Sequence, residues 1–121
     1  MSARKNQSLL RRFGFALAGF LHAVRTENSL RLQAIVFVLV LVALAVLRPA
    51  PLWWAVVLLA SAGVLAAELL NTAIETLADH LSPGVHPQIR VVKDCAAAAV
   101  LVTVLGAVAV AIALAVHLLH R

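Results

Sequence analysis

Three stretches of the chain, 32–47, 52–67 and 95–119, are almost free of polar residues, and they constrain the fold more than any other feature. The first is broken only by Gln33, the second only by Ser61 and Gly63. A hydrocarbon core of about 30 Å takes roughly 20 helical residues at 1.5 Å each. The first two stretches therefore need flanking residues to complete a crossing, and the third is long enough alone. With 64% of its 121 residues hydrophobic and 12% charged, a chain of this size has more apolar surface than a water-soluble domain can bury. The expected fold is an all-α integral membrane protein forming a single domain, 1–121, with transmembrane helices at about 29–48, 52–81 and 93–119. The turn Arg48-Pro49-Ala50-Pro51 cannot continue a helix, and Trp53 with Trp54 just after it resembles an interfacial aromatic belt.

Charge sets the expected orientation. Arg4, Lys5, Arg11, Arg12, Arg25 and Arg31 precede the first span and Arg90 and Lys93 lie in the second connection, against Arg48 in the first connection and Arg121 at the end. Eight against two places the N-terminus and the second connection in the cytoplasm. The net charge of +5 then serves topology and anionic lipid, and no nucleic acid is expected as a partner. Leu10, Phe13, Leu17, Leu21 and Val24 recur at steps of three and four, with Arg11, Arg12 and Arg25 among them. That spacing predicts an amphipathic helix at about 8–26 lying on the cytoplasmic surface. The basic region is too long for a signal peptide, and no convincing small-x-small cleavage site follows the apolar run. A single cysteine excludes a disulfide framework, and no glycine is followed by lysine, which excludes a Walker A loop.

The five acidic residues, Glu27, Glu68, Glu75, Asp79 and Asp94, all fall on the cytoplasmic side or at the cytoplasmic end of a span. Offsets of three, seven and eleven from Glu68 bring Asn71, Glu75 and Asp79 to within roughly 60° of it on a helix, with Thr72 close by. Ionisable groups continuing an apolar helix are expensive unless they face a partner, a cavity or water, so this row is a candidate site. Helical rise places Glu68 just inside the inner boundary of the hydrocarbon and carries Glu75 and Asp79 beyond it. Such a row can meet a lipid hydroxyl at one end and a water-soluble, charged molecule at the other. Lys93 and Asp94, expected to open the third span at the same level, add an ammonium for phosphate oxygens and a carboxylate for a metal or a helix cap. Amides at a helix N-terminus would add partial positive charge there.

The run Glu68-x-x-Asn71-Thr72-Ala73-Ile74-Glu75-x-x-x-Asp79, followed by Lys93-Asp94 and an alanine-rich helix, resembles the bacterial diacylglycerol kinase family of small three-helix membrane enzymes, which includes the undecaprenol kinases. The resemblance covers nearly the whole chain. It implies a homotrimer in the bacterial cytoplasmic membrane that transfers the γ-phosphoryl group of ATP directly to a lipid alcohol. By position it assigns Glu68 as general base on the lipid hydroxyl, Glu27 and Glu75 as Mg²⁺ ligands, and Asn71, Asp79, Lys93 and Asp94 as nucleotide-binding and organising groups. The expected reaction is phosphorylation of diacylglycerol to phosphatidic acid. The segments Thr26-Glu27-Asn28 and 82–87 are more similar to the undecaprenol kinase branch, which makes undecaprenol the alternative acceptor. An ion-conducting role fits less well, because a pathway needs polar residues toward the outer face and here the polarity stops at Glu68.

Small-xxx-small spacing at Ala62/Ala66 and Gly63/Ala67 permits close helix approach. His22, His80, His117 and His120 lack a zinc-like spacing, His86 is read as an ordinary loop residue, and Cys95 as a small packing residue.

Overall fold

The computed structural model describes residues 6–121, so Arg4 and Lys5 of the basic N-terminal region lie outside the described residues. Four helices make up the fold among these residues: α1 (Leu9–Thr26), α2 (Asn28–Leu47), α3 (Pro51–Leu81) and α4 (Pro87–Leu119). The last three are long and apolar enough to cross a membrane.

The helix boundaries follow from local chemistry. Ser8 caps α1, its hydroxyl oxygen accepting the Arg11 N–H at 3.3 Å. Glu27 alone separates α1 from α2, with extended backbone (φ −114°, ψ 118°). Its N–H donates to the Ala23 carbonyl at 2.8 Å and its carbonyl accepts the Arg31 N–H at 3.1 Å, so the elbow leaves both backbone groups paired. α2 ends at Arg48, which takes the left-handed conformation (φ 51°, ψ 54°) before Pro49. Pro51 and Pro87 occupy the first turns of α3 and α4, where a missing N–H leaves no bond unmade. His86, read from the sequence as an ordinary loop residue, caps α4 by accepting the Gln88 N–H on Nδ1 at 3.2 Å.

This start is a correction to the sequence reading. The last helix begins at Pro87, not near Lys93, because the Pro87 first turn and the His86 cap extend it upstream of the apolar run. Lys93 and Asp94 therefore lie within α4, and the free amides of its N-terminus are near His86 and Gln88 instead of beside them.

α3 and α4 form an antiparallel hairpin packed along most of their length, α2 leans on α3 over a shorter stretch, and α1 touches both α2 and α3. α2 and α4 barely meet, and the space between α2, α3 and α4 is an apolar cavity of about 420 Å³. Few side chains are buried: Leu30 and Leu44 of α2 are fully enclosed, with Val57, Val64 and Ala78 of α3, Ala23 of α1 and Ala96 of α4. Large apolar side chains such as Leu39, Leu59, Leu101 and Val102 stand exposed around the bundle, which lipid tolerates and water does not. The chain is a membrane protein. Cys95 is exposed and makes no part of the core, because it falls on the outward side of α4 beside the buried Ala96.

Candidate active site

The polar row of α3 is graded in burial. Glu68 is only 6% exposed, Asn71, Thr72 and Glu75 are half-buried, and Asp79 is open to solvent. Glu68 is the one charged side chain buried among the described residues. Leaving a carboxylate there without a partner would be costly, and the fold supplies one: the Ser29 hydroxyl, in the first turn of α2, donates to Glu68 Oε2 at 3.3 Å. Asn71 Nδ2 points at Glu75 Oε1 at 3.5 Å, a long and weak bond between residues one turn apart. Asn71 Oδ1 is buried with no partner, so the row contains an acceptor whose hydrogen-bonding capacity the chain itself does not use.

At the solvated end of the row, Lys93 Nζ and Asp79 Oδ1 form an ion pair between α3 and α4. The two side chains are 37% and 63% exposed, so the pair contributes at most about 1 kcal/mol to the fold. It does fix a cation at this level of the bundle, pointing back toward the acidic row. Arg31 donates to the Asn28 side chain at the start of α2.

Glu27 occupies the α1–α2 elbow, half-buried, and its carboxylate makes no capping bond. Ser29, two residues on, touches Glu68, which brings the elbow to the level of the acidic row. Asp94 is exposed on α4 next to Lys93 and makes no hydrogen bond to the row. The fold thus joins Glu68 to α2, Asn71 to Glu75 and Asp79 to Lys93, and leaves Glu27 and Asp94 without a direct bond to the others. No cluster of three or more Asp, Glu, His or Cys side chains suited to one metal ion exists within the chain among the described residues. The oxygen donors nearest the middle of the row, the carboxylates of Glu27 and Glu75 and the unpaired amide oxygen of Asn71, are of the hard type, and a small divalent cation takes one or two such carboxylates with water and phosphate oxygens completing its shell.

Ser29 is the functional candidate that sequence reading missed. Its link to Glu68 spans 39 residues and two helices, and no spacing rule connects them. The Asn71–Glu75 contact, in contrast, is an i,i+4 pair that the sequence makes visible.

The sequence profile described as prokaryotic diacylglycerol kinase matches residues 14–115, which takes in α2, α3, most of α4 and every residue of the acidic row. The chain belongs to the prokaryotic diacylglycerol kinase family. Within this family it is similar to a protein of Synechocystis sp. named diacylglycerol kinase, with 36% identity over 104 residues, covering 85% of this chain and 59% of that protein. It is also similar to a Bacillus subtilis protein named undecaprenol kinase, with 31% identity over 109 residues, covering 84% of this chain and 86% of that one. The chain thus spans a little over half the length of the first relative and most of the second.

Proposed function

We propose that this protein is a lipid kinase that phosphorylates diacylglycerol to phosphatidic acid at the cytoplasmic face of a bacterial inner membrane, with ATP as donor. The observation that carries the reading is the graded row on α3, which runs from buried Glu68 to solvated Asp79 paired with Lys93, in a chain of the prokaryotic diacylglycerol kinase family. One end suits a lipid hydroxyl and the other a nucleotide.

Glu68 accepts the proton of the acceptor hydroxyl as its oxygen attacks the γ-phosphorus, and the bond from that phosphorus to ADP breaks. Ser29 holds one carboxylate oxygen of Glu68, leaving the other to face the acceptor. Lys93 supplies positive charge for phosphate oxygens and Asp79 holds its ammonium in place. Glu27 and Glu75 would hold Mg²⁺, which when bound neutralises charge on the transferred phosphoryl group. Asn71, with its unused carbonyl oxygen, and Asp94 complete the nucleotide-facing surface. α1, with Leu10, Phe13, Leu17 and Leu21 exposed, lies as an amphipathic helix on the cytoplasmic surface. The exposed apolar faces of the bundle are covered in part by two further copies of the chain in a homotrimer.

A second acceptor, undecaprenol, has a specific observation in its favour: the relative matched over most of its length is the one named undecaprenol kinase. Purified protein incubated with labelled ATP, Mg²⁺ and either diacylglycerol or undecaprenol tests both. The expected result is labelled phosphatidic acid; label only in undecaprenyl phosphate moves the assignment to the second acceptor, and no labelled lipid from either refutes the kinase reading.

A further inference from the structure

The end of the bundle away from Glu68 carries no Asp or Glu, since the acidic residues are Glu27, Glu68, Glu75, Asp79 and Asp94. Arg48, Arg121, His117 and His120 are there instead. The fold joins two of them to other helices, Arg121 to the end of α2 and His117 to the start of α3, and makes one rim of this end. Arg121 Nη2 donates to the Leu47 carbonyl at 2.8 Å, which brings its guanidinium to the end of α2 that Arg48 follows, and the His117 ring lies on Trp53 with centroids 5.4 Å apart. The cavity of about 420 Å³ runs from Leu47 and Leu118 at this end, past Val40, Val64 and Val108, to Gln33 at the other. By helical rise the cavity is about 21 Å long from Leu47 to Gln33.

We propose that the rim and cavity form a binding site for an anionic phospholipid of the leaflet opposite the Glu68 site, with the headgroup on Arg48 and Arg121 and an acyl chain in the cavity. Apart from Gln33 and Ser61 the lining is hydrocarbon, so water finds too few partners to fill the space and an alkyl chain does. Only one guanidinium nitrogen of Arg121 is engaged by the Leu47 carbonyl, which leaves donors for a phosphate. A cationic rim with no acidic side chain selects a headgroup of net negative charge over a zwitterionic one. The site does not depend on the kinase reading, and its test measures no phosphorylation.

Trp53 and Trp54 are the two tryptophans of the chain, both in the first turn of α3 beside the rim, and bromine on an acyl chain quenches indole fluorescence at contact. Full-length protein is reconstituted in vesicles containing either brominated phosphatidylglycerol or brominated phosphatidylcholine in an unbrominated phosphatidylcholine background. Phosphatidylglycerol is expected to quench preferentially, by roughly twenty-five-fold in relative affinity from two arginines at about fivefold each, with the preference falling as salt is raised. Arg48→Gln and Arg121→Gln should each lower the preference about fivefold, and Arg121→Lys should keep most of it. The salt dependence in the unsubstituted chain serves as the second measurement where a variant fails to reconstitute. Equal quenching by the two lipids, a preference that survives both glutamine substitutions, or no quenching by either lipid because another copy covers the rim would each overturn the proposal.

Discussion

Glu68 carries the proposed chemistry at the residue scale, because it is a buried carboxylate whose bond to the chain comes from a hydroxyl on another helix. Glu68→Gln keeps the shape and the Ser29 contact and removes the proposed base, so turnover should fall by about 10² to 10⁴ while nucleotide affinity, measured by fluorescent-nucleotide titration, stays near its original value. Near-normal turnover in that variant would assign the base elsewhere. Ser29→Ala should lower kcat about tenfold, since a bond to a charged acceptor is worth about 1.5 kcal/mol at its weak end. Its effect belongs in kcat and in the pH–rate profile; a change confined to KM for ATP would mean that Ser29 contacts nucleotide instead of positioning Glu68. Glu75→Gln is expected to weaken nucleotide binding in the presence of Mg²⁺ and to leave binding in its absence nearly unchanged. The candidate row itself was legible in the sequence because a helix repeats every 3.6 residues, so Glu68, Asn71, Glu75 and Asp79 share a face wherever the helix packs. Ser29 was not legible, because contacts between helices depend on which faces meet.

At the scale of elements, the helix ends account for where the site residues fall. His86 and Pro87 start α4 ahead of the apolar run, which moves Lys93 onto the flank of α4 opposite Asp79. A sequence reading tied to hydropathy places the start of a helix where lipid begins, and it misses helical turns that continue into the aqueous region. The Asp79–Lys93 pair is half exposed, so a double-mutant cycle with Asp79→Asn and Lys93→Met should give a coupling below about 1 kcal/mol in stability. Any larger loss of nucleotide affinity in those variants then reports on function and not on folding. Arg48 holds a left-handed backbone that favours glycine, at a cost of about 1 kcal/mol. Arg48→Gly should therefore raise the thermal unfolding midpoint in detergent; a drop would show that the arginine side chain stabilises the cap by more than the backbone strain costs.

For the whole molecule, the Ser29–Glu68 and Asp79–Lys93 bonds put the site at one end of the bundle, and the Arg121–Leu47 bond closes the other. Val85, 97% exposed in the connection between α3 and α4, offers a direct reading of orientation. A Val85→Cys variant made in a Cys95→Ser background should react with a membrane-impermeant maleimide in inside-out vesicles and be protected in right-side-out ones; the reverse pattern would put the acidic row on the wrong side for cytoplasmic ATP. The sequence alone was enough for three apolar helices, the excess of positive charge around one set of connections, and an acidic row along one helix face. Each follows from composition or from the period of a single helix, which holds whatever the neighbours are. The tertiary structure decided which helix meets which: that α3 pairs closely with α4 while α2 stands off and leaves a cavity, that Ser29 reaches Glu68, and that Arg121 returns to the end of α2. In lipid the inward and outward faces of a helix are both apolar, so hydropathy carries no mark of the packed side, and only the fit of side chains between helices selects it.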